Sequence, residues 1–192
     1  VAYLGSTATG DQYNPYKSEI YIIDKTETGW GTPYPLPTSH SRHDYRVDLS
    51  YDGNTVVYTY ASANIFVDTP LLFVSRRISG TWGAPVQISD GSGGAYGPSI
   101  SADGTKLAWM QNNSLVYSEY NGVAWTTPRW LVKWKTTSTG TETGEEDVQH
   151  VKISPDGSTI TYLLLTVKNS IMVAQDVYVV KRTATGSSDP VK

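Results

Sequence analysis

Cysteine is absent from all 192 residues. That excludes disulfides, thiolate metal centres and cysteine nucleophiles outright. Phe and Met occur twice each and His three times, so any histidine-based metal site would have few ligands to draw on. No apolar run approaches the roughly 20 residues of a membrane-spanning helix. The longest stretch, 160–167, has strand length and is interrupted by Thr161 and Thr166. Neither sign of charge dominates: 15 basic residues stand against 18 acidic ones, a net charge of -3. This balance excludes both the basic stripe of a nucleic-acid binder and the acidic block of a disordered tail. No G-x-S-x-G, H-E-x-x-H, glycine-rich phosphate loop or EF-hand spacing occurs. No cofactor and no metal is therefore expected. The chain opens at Val1 with neither an initiator Met nor a signal peptide, and is expected to have been processed or excised from a longer protein.

What the sequence does contain is a phrase used three times: Ser50-Tyr51-Asp52-Gly53, Ser101-Ala102-Asp103-Gly104 and Ser154-Pro155-Asp156-Gly157. The copies are 51 and 53 positions apart, a spacing that marks a stacked array of similar modules. Aligned on the Asp, the flanks fall into register. Val47 and Leu49, Pro98 and Ile100, and Val151 and Ile153 precede the phrase; Val56 and Tyr58, Leu107 and Trp109, and Ile160 and Tyr162 follow it. Alternation on both arms predicts a hairpin with Asp-Gly at its tip. The 14 Tyr and 6 Trp suit such half-buried pleated surfaces.

A second phrase, a Gly-Trp turn followed by Pro, recurs at 28–33, 80–85 and 121–128, with a degenerate copy at 186–190 in which Ser188 is expected to replace the Trp. An apolar alternation precedes each copy. A strand that opens at proline belongs on a sheet edge, because proline cannot donate to a ladder. Each module thus reads as strand, Asp-Gly turn, strand, loop, strand, turn and short edge strand. The fold expected is all-β: a single β-propeller segment over 1–192, built of four-stranded antiparallel blades at about 1–39, 40–90, 91–135 and 136–192. A sandwich or a solenoid is the runner-up. Val1-Ala2-Tyr3 aligns with Val56-Val57-Tyr58, so the first blade is expected to be truncated and the open ends to offer a surface for self-association.

Ser154-Pro155-Asp156-Gly157 through Tyr162 resembles the WD40-like propeller repeats typified by the TolB protein. The phrase at 80–86 is similar to a branch of such repeats found in bacterial envelope and surface proteins. The resemblance implies a propeller scaffold in an extracellular or periplasmic protein. It implies no particular activity, since scaffolds, adhesins and propeller domains of larger hydrolases share these repeats.

The Asp of each turn is expected to be structural, its carboxylate satisfied by local hydrogen bonds, and the Trp residues to pack a blade edge. The tetrads His43-Asp44-Tyr45-Arg46 and Asp147-Val148-Gln149-His150 occupy corresponding places at the innermost strand, with Tyr96 in the third copy. Inner strands converge on a propeller's axis, where ligands sit. The candidate ligand-binding residues are therefore His43, Asp44, Arg46, Tyr96, Asp147 and His150. Asp44, Asp48, Glu119 and Asp147 are the carboxylates available to a glycosidase, but no catalytic residue is assigned. Three segments, 6–17, 61–70 and 133–147, read as loops that differ between modules. The first carries Tyr13 and Tyr16 as candidate contacts, and 136–146 within the third, rich in Thr, Gly and Glu, reads as a flexible spacer. The expected function is a noncatalytic module that binds a protein or glycan through its loops or axial mouth, with no nucleic-acid partner and no membrane span. The alternatives are a substrate-gating propeller of a larger hydrolase, or a structural subunit that assembles through its open blades.

Overall fold

A computed structural model describes residues 1–8, 16–37, 44–61, 69–133, 135–139, 142–183 and 186–192. Among them every regular element is a strand, and no helix is long and apolar enough to cross a membrane. In the first sheet β1 (Ala2–Ala8) pairs with β2 (Tyr16–Ile22). A small ribbon of β3 (Lys25–Thr26) and β4 (Gly29–Trp30) follows, and β5 (Tyr34–Pro35) pairs with β2. The second sheet contains β6 (Asp44–Leu49), β7 (Thr55–Tyr60) and β8 (Leu71–Ile78), with β9 (Thr81–Trp82) and β10 (Val86–Gln87) both on β8. The third is β11 (Ala95–Ile100), β12 (Lys106–Gln111), β13 (Ser114–Glu119) and β14 (Arg129–Val132), in that order. The fourth is β15 (Lys135–Thr139), β16 (Glu142–Ile153), β17 (Thr159–Lys168), β18 (Ile171–Thr183) and β19 (Gly186–Ser187). All pairings are antiparallel, so the sheets are propeller blades, and the first has three strands.

The hydrophobic core is divided among the gaps between successive sheets. Ile20, Ile22 and Leu36 of the first sheet meet Val56, Tyr58, Phe73 and Trp82 of the second. Val57, Leu72 and Val74 meet Ile100, Leu107, Trp109 and Val116 of the third. Ala108, Leu115 and Tyr117 meet Val148, Ile153, Ile160, Tyr162 and Val180 of the fourth. Along β7, Val56 and Tyr58 face one neighbour while Val57 faces the other, which is why the strand is buried on both faces. Burying each such side chain is worth about 1.5–3 kcal/mol. On the far face of the fourth sheet Val177 and Met172 remain more than half exposed.

Polar ties repeat at equivalent positions between sheets. Arg77, Tyr120 and Arg182 are equivalent, since their amides donate to Asn54, Thr105 and Ser158 carbonyls one period apart. Asp24, Arg76, Glu119 and Lys181 are equivalent in turn, each accepting from the edge phrase at Gly31, Gly83, Thr126 or Ser188. Between the first two sheets Arg77 grips Asp24 with both terminal nitrogens, at 2.9 and 3.0 Å. That guanidinium holds the Asp24 carboxyl below its usual range. Between the third and fourth sheets Arg182 pairs with Glu119. At the middle gap the same two positions hold Arg76 and Tyr120, and the guanidinium stacks 4.1 Å from the ring centroid. One pair of positions thus serves all three gaps, by ion pair or cation–π contact.

Each Ser-x-Asp-Gly phrase caps its hairpin with the same bonds. The Ser101 hydroxyl donates to Asp103 (2.6 Å) and accepts from the Lys106 amide (3.0 Å), while Asp103 also accepts from the Thr105 amide (3.0 Å). Ser50 with Asp52 and Ser154 with Asp156 repeat the arrangement. Glycine is needed twice over in this turn. Gly104 has φ +65°, and a Cβ there would lie 2.4 Å from Thr55 Oγ1 of the preceding sheet. The turns are also bonded to one another, the Ala102 amide donating to the Pro155 carbonyl at 2.8 Å.

Three expectations change. The described residues of 136–146 are not a flexible spacer: β15 pairs with the start of β16, Lys135 opposite Glu146 and Thr139 opposite Glu142. Its β-branched threonines favour a ladder. Strand also continues into 6–17, since Ala8 pairs with Tyr16. In the degenerate edge phrase Ser187 sits opposite Arg182, as Trp82 sits opposite Arg77, so Ser187 rather than Ser188 takes the tryptophan's place.

The turn carboxylates make stability acid-sensitive. Burial opposes ionisation at Asp52 and Asp103, but the serine hydroxyls and following amides outweigh it and lower both. Hydrogen bonds from Ser154 and Ser158 lower Asp156 from 3.8 to about 2. Groups whose pKa falls on folding contribute stability that is complete above the unfolded value and is lost as pH falls through the folded one. Stability should therefore be flat above about pH 5 and decline from about pH 4 toward 2. Asp103→Ala should cost about 1–2 kcal/mol at pH 7 and less at pH 3, measured by urea unfolding at both.

Candidate functional site at the inner strands

β6, β11 and β16 are the inner strands, and β11 lies between the other two. Each is interrupted once, where one extra residue slips the register against its partner: between Tyr45 and Val47, between Tyr96 and Ser99, and between Gln149 and Lys152. The left-handed residue in each slip is Arg46 (φ 46°), Gly97 (φ 54°) or His150 (φ 50°). These three stand 51 and 53 positions apart, so they are one position of the repeat. Glycine adopts this conformation freely, whereas other residues pay on the order of 1–3 kcal/mol. Only the middle sheet uses glycine.

The bulges line a cleft of about 600 Å³ that includes Arg46, Tyr96, Met110, Gln149, His150 and Lys152. Tyr96 is 46% exposed. Among the described residues the lining holds three basic side chains and no carboxylate. Among the described residues, no group of three His, Asp or Glu side chains comes together as a metal site.

Of the six expected ligand-binding residues, the structure brings Arg46, Tyr96 and His150 into this cleft. Asp147 does not line it; its carboxylate accepts from Gln149 Nε2 at 3.0 Å. Asp44 opens β6, its backbone paired with Tyr60. His43 and Tyr13 lie outside the described residues, and Tyr16 opens β2. Lys152 and Gln149 are lining residues that the sequence reading missed. The repeat register was the available signal, since Lys152 lies two positions past His150. Asp48 and Glu119, considered as catalytic carboxylates, are engaged between sheets: Asp48 accepts from the Ile100 amide at 3.1 Å and Glu119 holds Arg182. Trp82 is buried beneath Arg77, 4.6 Å from ring centroid to guanidinium, whereas Trp30 is 62% exposed. The Asn112-Asn113 pair forms the β12–β13 turn with φ of 47° and 57°, the angles a two-residue hairpin requires.

No family model matches the chain, and no curated protein matches it by sequence. Among solved structures it is similar to Kuenenia stuttgartiensis hydrazine synthase, with TM-score 0.53 and 16% identity over 95% of this chain and 48% of that one. The chain thus spans about half the length of that relative, and at this identity the likeness concerns fold alone. The β-propeller domain of the trilobed protease from Pyrococcus furiosus aligns at TM-score 0.49 and 11% identity, covering 93% of this chain and 64% of the other. The periplasmic gluconolactonase of Pseudomonas aeruginosa aligns at TM-score 0.35 and 10% identity, over 100% and 96%. The chain is a β-propeller segment by its own sheets: four consecutive antiparallel blades whose cores lie between neighbours.

The bulge position yields a matched test. A Cβ on Gly97 would meet nothing within 4 Å, so Gly97→Ala should lose about 1 kcal/mol through backbone strain alone. Arg46→Gly should change stability by less than about 1 kcal/mol, because relieved strain offsets the freedom glycine adds to the unfolded chain. Chemical denaturation of both variants checks this.

Proposed function

We propose that this chain is a noncatalytic binding module of the WD40-like, TolB-type repeat class in an exported or cell-envelope protein, and that it takes a protein or glycan ligand in the inner-strand cleft. The observation that carries this reading is the pair Arg46 and His150. Both hold a strained backbone where the equivalent position is glycine, and both line the cleft. Strain of this kind persists where function uses it. The exported location rests on the resemblance of the repeats to envelope proteins.

An array of neutral and acidic oligosaccharides, probed with wild type and Tyr96→Ala, tests the site. The expected result is a retained glycan whose signal falls about tenfold in the variant while near-ultraviolet circular dichroism is unchanged. Undiminished retention would place recognition elsewhere.

Assembly through the open sheets is the weaker reading. The two positions that tie neighbouring sheets carry Lys25 on the first sheet and Lys181 on the fourth. A second copy laid head to tail would set these two ammonium groups together, with neither carboxylate nor ring between them. Sedimentation should find wild type monomeric at all accessible concentrations. Lys181→Glu, which recreates the acid found at Asp24 and Glu119, should introduce self-association. A wild-type chain that oligomerises would overturn this.

A further inference from the structure

We infer that the inner-strand cleft is built for an oxyanion, a carboxylate or phosphate carried by the ligand, held by Arg46, His150 and Lys152 beside Tyr96. This deepens the cleft reading above and rests on it. Arg76, Arg77 and Arg182 are all engaged between sheets, stacked on Tyr120 or paired with Asp24 and Glu119. Among the described residues Arg46, His150 and Lys152 have no side-chain hydrogen bond or ion pair. A guanidinium left without a partner in a concave site is a ready bidentate donor for a carboxylate or phosphate.

Arg46 and His150 occupy one position of the repeat on two sheets that flank β11, so they approach the same space from opposite walls. Between them the equivalent residue is Gly97, which leaves room where a third side chain would stand. A solvated propeller mouth has no need of two strained basic side chains around a glycine. An anion bridging them has. Of the described carboxylates beside these residues in sequence, Asp48 accepts from the Ile100 amide and Asp147 from Gln149, and neither lines the cleft, so none among the described lining residues pairs with the three basic side chains.

Isothermal titration calorimetry with sodium phosphate, trigalacturonate and neutral maltotriose tests this on the whole chain. Saturable binding of phosphate or trigalacturonate is expected, weakening as salt is added and falling about tenfold or more in Arg46→Gly and in His150→Gly. Both variants should melt within a few degrees of the wild-type midpoint, a result that separates a ligand role from a structural one. Lys152→Gln, on an exposed residue, should weaken the anions without any change in melting. Phosphate alone binding identifies a phosphoryl ligand, and trigalacturonate alone an acidic sugar. Either supports the inference. Failure of both to bind, or equal affinity in the Arg46→Gly/His150→Gly double variant, overturns it. Maltotriose bound by wild type and Arg46→Gly but lost in Tyr96→Ala would overturn the anion and leave the cleft as a site. Binding insensitive to all four substitutions would remove both readings.

Discussion

No sheet in this molecule has a core of its own. Val57, Leu107 and Ile160 are wholly buried, and each lies in a cluster that joins side chains of its own sheet to those of a neighbouring one. A single four-stranded antiparallel sheet has two faces to cover and no means to cover either. Burial between successive sheets is therefore the interaction on which the rest depends. It demands that each sheet present the same profile as the one before, and the repeated spacing is the mark of that demand.

Given such stacking, positions rather than residues become the units of design. One pair of positions ties every gap, and its occupants are exchanged between Asp24–Arg77, Arg76–Tyr120 and Glu119–Arg182. The middle gap keeps an arginine but presents it to a ring, preserving attraction while reversing which sheet supplies the cation. The turn glycine follows the same logic. Gly104 and Gly157 are squeezed against Thr55 and Lys106 of the preceding sheet, while a Cβ on Gly53 would meet open space. The inner bulge departs from it, because there the common backbone shape is kept and its natural residue is not.

The propeller was legible because period-two burial, Asp-Gly turns and proline-led edges are local signals, and all three recur in register. Val56 and Tyr58, Leu107 and Trp109, and Ile160 and Tyr162 are buried as that register requires. The cleft was legible in part. Arg46, Tyr96 and His150 were placed together by alignment alone, but Asp147 was grouped with them because a one-residue bulge is invisible to an alternating pattern and changes which side chains face inward. Cross-sheet pairs such as Arg182 with Glu119 were hidden because they join residues 63 positions apart and depend on how sheets stack. The β15–β16 hairpin was misjudged for a different reason. Its Thr, Gly and Glu composition resembles a linker, and the pairing that makes it a ribbon comes from extending an existing sheet.

That ribbon gives the propeller an uneven rim. β6 and β11 start at Asp44 and Ala95, whose counterpart on the fourth sheet is Val148, whereas β16 starts at Glu142 and is flanked by the equally extended β17 and β18. Six additional residues of strand amount to about 20 Å. At the end of the molecule away from the Asp-Gly turns, the described strands of the fourth sheet thus run on past the starts of β6 and β11. On the fourth sheet, then, any approach to the inner strands from this end runs along a parapet of β-structure.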